Sequence, residues 1–295
     1  MSATELNQSV LDQIREGNTL EAMKLLFGRA SAQATGVVAI NRALFGTHRP
    51  GQTEAIDQAV ERHLALLESS SPEQRDTVLY NLGCFALFRD EVLDAHYYFT
   101  EAVHARSDHL AARHNLGYTF ELMAETDNAR REYEAVLAQD PGFVISRVNL
   151  AQLDIAEGDV ERALETLREL RRGRPTNLGI TLYLCRALLQ RGTIADAKEV
   201  LTLLASTAKW QTYQDLRECR AYAKFLSGDA DGAEADFREM LSDEATSLFA
   251  VAGLVKICAA RKDWDAMQSF AEQYHALNPT EAARRLLAAY TDNPA

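Results

Sequence analysis

Residues 144–177 read VISRVNLAQLDIAEGDVERALETLRELRRGRPTN, and this stretch decides the fold. Ile145, Val148, Leu150, Leu153 and Ile155 recur at the spacing of one helix face, and Gly158-Asp159 interrupts the pattern. Val160, Ala163, Leu164, Leu167 and Leu170 then resume it, and Pro175 closes the segment. Two amphipathic helices around a tight turn, ended by a residue that cannot continue a helix, are the reading this pattern supports. The same register returns every 34 residues: Leu82, Gly83 and Ala95; Leu116, Gly117 and Ala129; Leu150, Ala151 and Ala163; Leu184, Cys185 and Ala197. Pro141 and Pro175 keep the period too. A fixed period of that length marks one helix pair repeated, each pair burying its apolar face on its neighbours.

Outward from this block the period loosens. Gly228, Ala233, Phe237 and Met240 repeat the turn and second helix about two residues late, which points to a small insertion near Trp210–Thr212. Leu254, Trp264, Ala266, Phe270 and Asn278-Pro279 make a looser unit, and residues 281–290 read as a terminal capping helix. Toward the start, Gly17, Ala22 and Leu26 echo the signature, followed by helices near 35–45 and 53–68. The expected organisation is divergent N-terminal helix pairs over 1–75, four regular units over 76–211, two divergent units over 212–279, and a cap and tail over 280–295. That is about eight helix pairs in an all-α chain.

These residues resemble the tetratricopeptide repeat. The first helix carries Leu followed by Gly or Ala, with an aromatic three positions on in one unit (Phe120). The second helix carries Ala95, Ala129, Ala163 and Ala197, each with a bulky apolar residue four later (Phe99, Tyr133, Leu167, Leu201). Ala86, Asp154 and Leu188 depart from the aromatic, and Cys185 from Gly/Ala. The small residues sit where the helices of a unit cross closely, and a larger side chain there would cost about 1–3 kcal/mol. The resemblance implies a right-handed superhelical solenoid of antiparallel helix pairs whose inner, concave face holds an extended peptide or protein segment.

Asn81, Asn115 and Asn149 stand at one register of three successive first helices. Asparagine is an indifferent helix former, so its return asks for a reason beyond propensity. The resemblance places this register on the concave face, where a carboxamide can bond both N–H and C=O of a bound backbone. Inheritance from duplicated copies, or local bonding between neighbouring helices, accounts for the same pattern. Tyr80, His114, Tyr118 and Gln152 flank the asparagines, and Tyr183 and Arg186 hold the matching places in the fourth unit. With the asparagines these form the expected partner-binding set. Tyr80, His114 and Val148 stand where a carboxylate clamp needs a cation, and Arg113 and Arg147 lie one residue further away.

A formal charge of −12 sets the summed field against phosphate backbones and anionic lipid, so neither nucleic acid nor a membrane is the expected partner. Hydrophobic residues at 47% and charged residues at 25% match a folded soluble chain. The sequence contains none of the short motifs for nucleophile elbows, zinc helices, phosphate loops or dinucleotide binding, and a non-catalytic adaptor without cofactor or metal is the expectation. Cys84, Cys185, Cys219 and Cys258 are far apart and read as buried reduced thiols. Neither a signal peptide nor a membrane span is read, which points to the cytoplasm. Two alternatives stay open: a scaffold that self-associates through Trp264, Phe270 and the last helix, and a regulatory arm of a separate enzyme such as a glycosyltransferase or protease.

Overall fold

A computed structural model describes residues 52–243 and 247–278. Among these the chain forms thirteen α-helices, one 3₁₀ turn and no strand. The chain divides into two compact units between Thr166 and Leu167. The first contains α1 (Gln52–Ser69), α2 (Pro72–Phe88), α3 (Val92–Ala105), α4 (Leu110–Leu122), α5 (Thr126–Gln139) and α6 (Val144–Ala156). The division falls inside α7 (Val160–Gly173). The second unit continues with α8 (Leu178–Arg191), α9 (Ile194–Ala205), the 3₁₀ turn Trp210–Thr212, α10 (Gln214–Leu226), α11 (Ala230–Asp243), α12 (Leu248–Arg261) and α13 (Trp264–Leu277). The expected helix at 53–68 is α1. The expected elements before residue 52, and the cap at 281–290, lie outside the described residues.

The turn inside each pair needs one residue in the left-handed region. Asp90, Ala124, Gly158 and Gly192 occupy it at φ of 62°, 60°, 90° and 73°, each 34 residues after the last, and Gly228 (92°) and Lys262 (60°) follow. Only glycine adopts this conformation without steric cost. At five of the six turns two crossed backbone bonds close the helix, as where Ala124 N–H reaches Glu121 C=O at 2.9 Å and Glu125 N–H reaches Phe120 C=O at 2.8 Å. That bonding takes up the orphaned carbonyls of the first helix and forces the left-handed residue between them. The turn is therefore periodic in backbone geometry even where glycine is missing. Helix starts are capped by His109, Asn177, Thr193, Ser247 and Asp263, whose side chains accept backbone N–H groups in the first turn.

Within a pair the helices meet through ring on glycine. A Cβ built at Gly83 would stand 2.6 Å from the Phe99 ring, and one at Gly117 would stand 2.7 Å from the Tyr133 ring. Phe99, Tyr133, Ala95 and Ala129 are fully buried at these crossings. In the second unit Gly253 of α12 takes the ring of Phe237 from α11, here between successive pairs.

Four buried carboxylates stand among the described residues, and the first, Asp76, pairs with Arg106 at 2.8 Å. Asp154 on α6 takes Arg130 of α5 at 2.8 Å and Arg162 of α7 at 2.8 Å. In the second unit Asp196 pairs with Arg191, and Asp236 with Arg220 at 2.8 Å and Lys224 at 3.0 Å. Asp154 replaces the expected aromatic of its repeat, and its role is to join three successive helices. The cluster Arg168, Arg171, Arg172 and Arg174 lies at the end of α7, where Arg168 meets Glu199 at 2.7 Å and Arg171 meets Thr207 at 3.1 Å.

Candidate partner-binding face

Within each unit the first helices of successive pairs stand side by side. In the first unit Asn115 of α4 donates its amide to Cys84 Sγ of α2 at 3.7 Å, and His114 Nδ1 of α4 lies 2.9 Å from Ser146 Oγ of α6. In the second unit Arg186 of α8 approaches Asp215 of α10 at 3.5 Å, and Lys256 of α12 lies over the Tyr222 ring of α10 at 4.9 Å.

The three asparagines differ in surroundings. Asn81 is buried, with its amide nitrogen unpartnered. Asn115 is half-buried and turned toward Cys84. Asn149 is buried and donates to the Tyr133 hydroxyl at 2.9 Å and to Glu121 Oε2 at 3.4 Å, while Gln152 donates to its carbonyl oxygen at 3.3 Å. Tyr133 offers a hydroxyl to Asn149, whereas one repeat earlier Phe99 offers none, and Asn115 turns to the thiol.

Tyr80 and His114 point inward. Tyr80 packs on Phe99 and His109 with ring centroids 5.9 and 5.0 Å apart, and burial raises its hydroxyl well above the ordinary range. Burial likewise pushes the Cys84 thiol up to about 12. His114 packs between Tyr133 and Phe143 at 5.2 and 5.6 Å, and burial brings its pKa down to about 3, so the imidazole is neutral. Tyr118, by contrast, is 40% exposed, and Leu122 one turn later is 46% exposed. Gln152 is half-buried. In the second unit Tyr183 is half-buried and Arg186 exposed.

Two groups of this face escaped the sequence reading. Glu121 of α4 is half-buried; burial raises its carboxyl pKa, and the Tyr133 hydroxyl, which donates to Oε2 at 2.6 Å, pulls it back down. Tyr133 was legible only as the bulky residue of its second helix. Burial, then the Glu121 charge, raise its phenol far above the ordinary range, with Tyr118 adding to the rise. Glu121 lies one turn beyond Tyr118 on the same helix, and that spacing was the available signal.

Side-by-side first helices, left-handed turns at 34-residue intervals and rings seated on glycine define an α-helical repeat protein. The family model for the tetratricopeptide repeat matches residues 122–175 and 154–218. Residues 122–218 thus match the tetratricopeptide repeat, and the described helices on either side continue the same paired architecture. A tetratricopeptide repeat protein of Parabacteroides merdae is similar in fold, with 16% identity, a TM-score of 0.61 and coverage of 99% of each chain. A chain of the APC/C hetero-tetramer Cut9–Hcn1 matches at 11% identity and a TM-score of 0.69, over 97% of this chain and 55% of that one. PilF of Pseudomonas aeruginosa matches at 16% identity and a TM-score of 0.59, over 74% of this chain and 98% of that one. No curated protein matches the sequence. No described helix is long and apolar enough to cross a membrane.

Proposed function

We propose that the protein is a non-catalytic adaptor that holds an extended peptide or protein segment along the first helices of its repeats. Tetratricopeptide repeats are protein-interaction modules, and the observation that carries the reading here is local. Tyr118 and Leu122 stand exposed on α4, beside the partly accessible polar groups Asn115, Glu121 and Gln152. An aromatic and an aliphatic anchor next to oriented donors and acceptors suit a peptide, because aromatic anchors carry much of interface energy and carboxamides bond any backbone. Three hydrogen-bonding groups at about 0.5–1.5 kcal/mol each fall short of the roughly 8 kcal/mol of a micromolar complex. The apolar anchors supply the rest. Asn81, Asn149, Tyr80 and His114 shape this face from beneath, and Tyr183 and Arg186 offer a comparable surface in the second unit. Four buried free cysteines favour a reducing compartment such as the cytoplasm.

Selection of a displayed random 12-residue peptide library on the protein tests the reading. Peptides that bind it should lose about tenfold or more in affinity against Tyr118→Ala with Asn115→Ala, while the thermal melt stays within a few degrees. Equal binding to both proteins would reject the reading.

A further inference from the structure

We propose that Glu121 is the receptor for a lysine or arginine side chain of the bound segment. The inference rests on the peptide-binding reading above and adds the chemistry of the partner. Three carboxylates of the same unit meet an arginine: Asp76 with Arg106 at 2.8 Å, Glu132 with Arg113 at 2.9 Å, and Asp154 with Arg130 at 2.8 Å. Glu121 has no cation within ion-pair distance among the described residues; its partners are the Tyr133 hydroxyl and the Asn149 amide, both on Oε2. Oε1 accepts no hydrogen bond from the described residues, and the side chain is only half-buried.

A half-desolvated carboxylate bonded on one oxygen and open on the other is an incomplete ion pair. Burial alone would favour its neutral form, and an arriving cation would stabilise the charged one. The two hydrogen bonds hold the carboxylate in place, so a cation finds it already oriented. Tyr118 and Leu122, one turn before and one residue after, supply the walls. A phenol ring and an exposed leucine can cover the alkyl stem of lysine or arginine, with the ring face drawing the charge. The net charge of −12 adds a long-range pull on cationic segments and repels acidic ones. The same arrangement does not recur at the corresponding place one repeat on, where Ile155 of α6 stands instead of a carboxylate. The cation is therefore read at one position, which gives the bound segment a fixed register.

The test uses the full chain and the displayed 12-residue library, selected in parallel on the natural protein and on Glu121→Gln. Glutamine keeps an acceptor for the Tyr133 hydroxyl, so the hydrogen-bonded framework survives. The natural protein should enrich peptides with lysine or arginine at one position beside an apolar residue, and the variant should lose that preference. A selected lysine peptide should bind the natural protein about tenfold or more tightly than its norleucine counterpart, and the two should be equal on the variant. The lysine–norleucine comparison on the natural protein stands even if Glu121→Gln folds poorly. An enriched pool without a cationic position, or equal binding of the lysine and norleucine peptides, overturns this inference and leaves the peptide-binding reading intact. No enrichment on the natural protein overturns both.

Discussion

Ala124 and Asp90 show most plainly how far single residues can drift while the repeat holds. Each occupies a left-handed turn that Gly158, Gly192 and Gly228 occupy elsewhere without steric cost. An L-residue in that conformation costs about 1–2 kcal/mol, less what glycine loses in backbone freedom. Ala124→Gly should therefore stabilise the protein by about 1 kcal/mol, and Gly158→Ala should destabilise it by a similar amount, read from denaturant midpoints at constant slope. Helix propensity alone predicts the reverse sign for each substitution, so the direction of the two changes separates turn geometry from propensity. The turn at Gly158 was legible because glycine marked it, and the turns at Asp90, Ala124 and Lys262 were not, because only the spacing of 34 betrays them. The asparagine register was legible as a pattern. What it lacked was the partner: whether Asn149 meets Tyr133 or Asn115 meets Cys84 depends on the helix packed against each, which the register alone does not state.

At the scale of the helix, the closest constraint is the seat of each ring on its glycine. Gly117→Ala would place a methyl 2.7 Å from the Tyr133 ring, and because Tyr133 is fully buried and bonded to Glu121 and Asn149, the ring has little room to yield. We expect a loss of about 1–3 kcal/mol, measured by chemical denaturation, with a smaller loss in the double variant Gly117→Ala, Tyr133→Leu. Helix α4 also sets the acid response of the first unit. Its cap His109 and its inward-facing His114 have pKa values brought down to about 4 and about 3 by burial, against 6.5 in the unfolded chain. Below pH 6.5 the unfolded chain takes up protons that the folded one refuses, so stability falls with pH, by up to about 1.4 kcal/mol per pH unit for each histidine. Melts between pH 6.5 and 5 should show this decline, and His114→Gln should remove roughly half of its slope. A pH-independent melt over that range would contradict the buried, neutral assignment. Helix existence and pairing followed from hydrophobic spacing, which is why the pairs from α2 to α9 were expected closely. Asp154 was legible only as a missing aromatic, since a buried charge is explained by the arginines of two other helices.

At the scale of the molecule, sequence period, turn geometry and the family match agree on a repeated helix pair, and the proposed function has its first helices hold something elongated. Under that proposal the acidic charge and the exposed pair Tyr118 and Leu122 favour a segment with an apolar anchor and a cation. The second helices also expose apolar groups, since Leu93 and Tyr97 on α3 are 75% and 59% accessible. They lie on a different helix of the repeat and provide the internal control. The most direct test places a photo-crosslinking phenylalanine analogue at Tyr118 in one sample and at Tyr97 in another, each irradiated with the same library-selected peptide. Capture at Tyr118 with little or none at Tyr97 is the predicted result; capture at Tyr97, or equally at both, would contradict binding along the first helices.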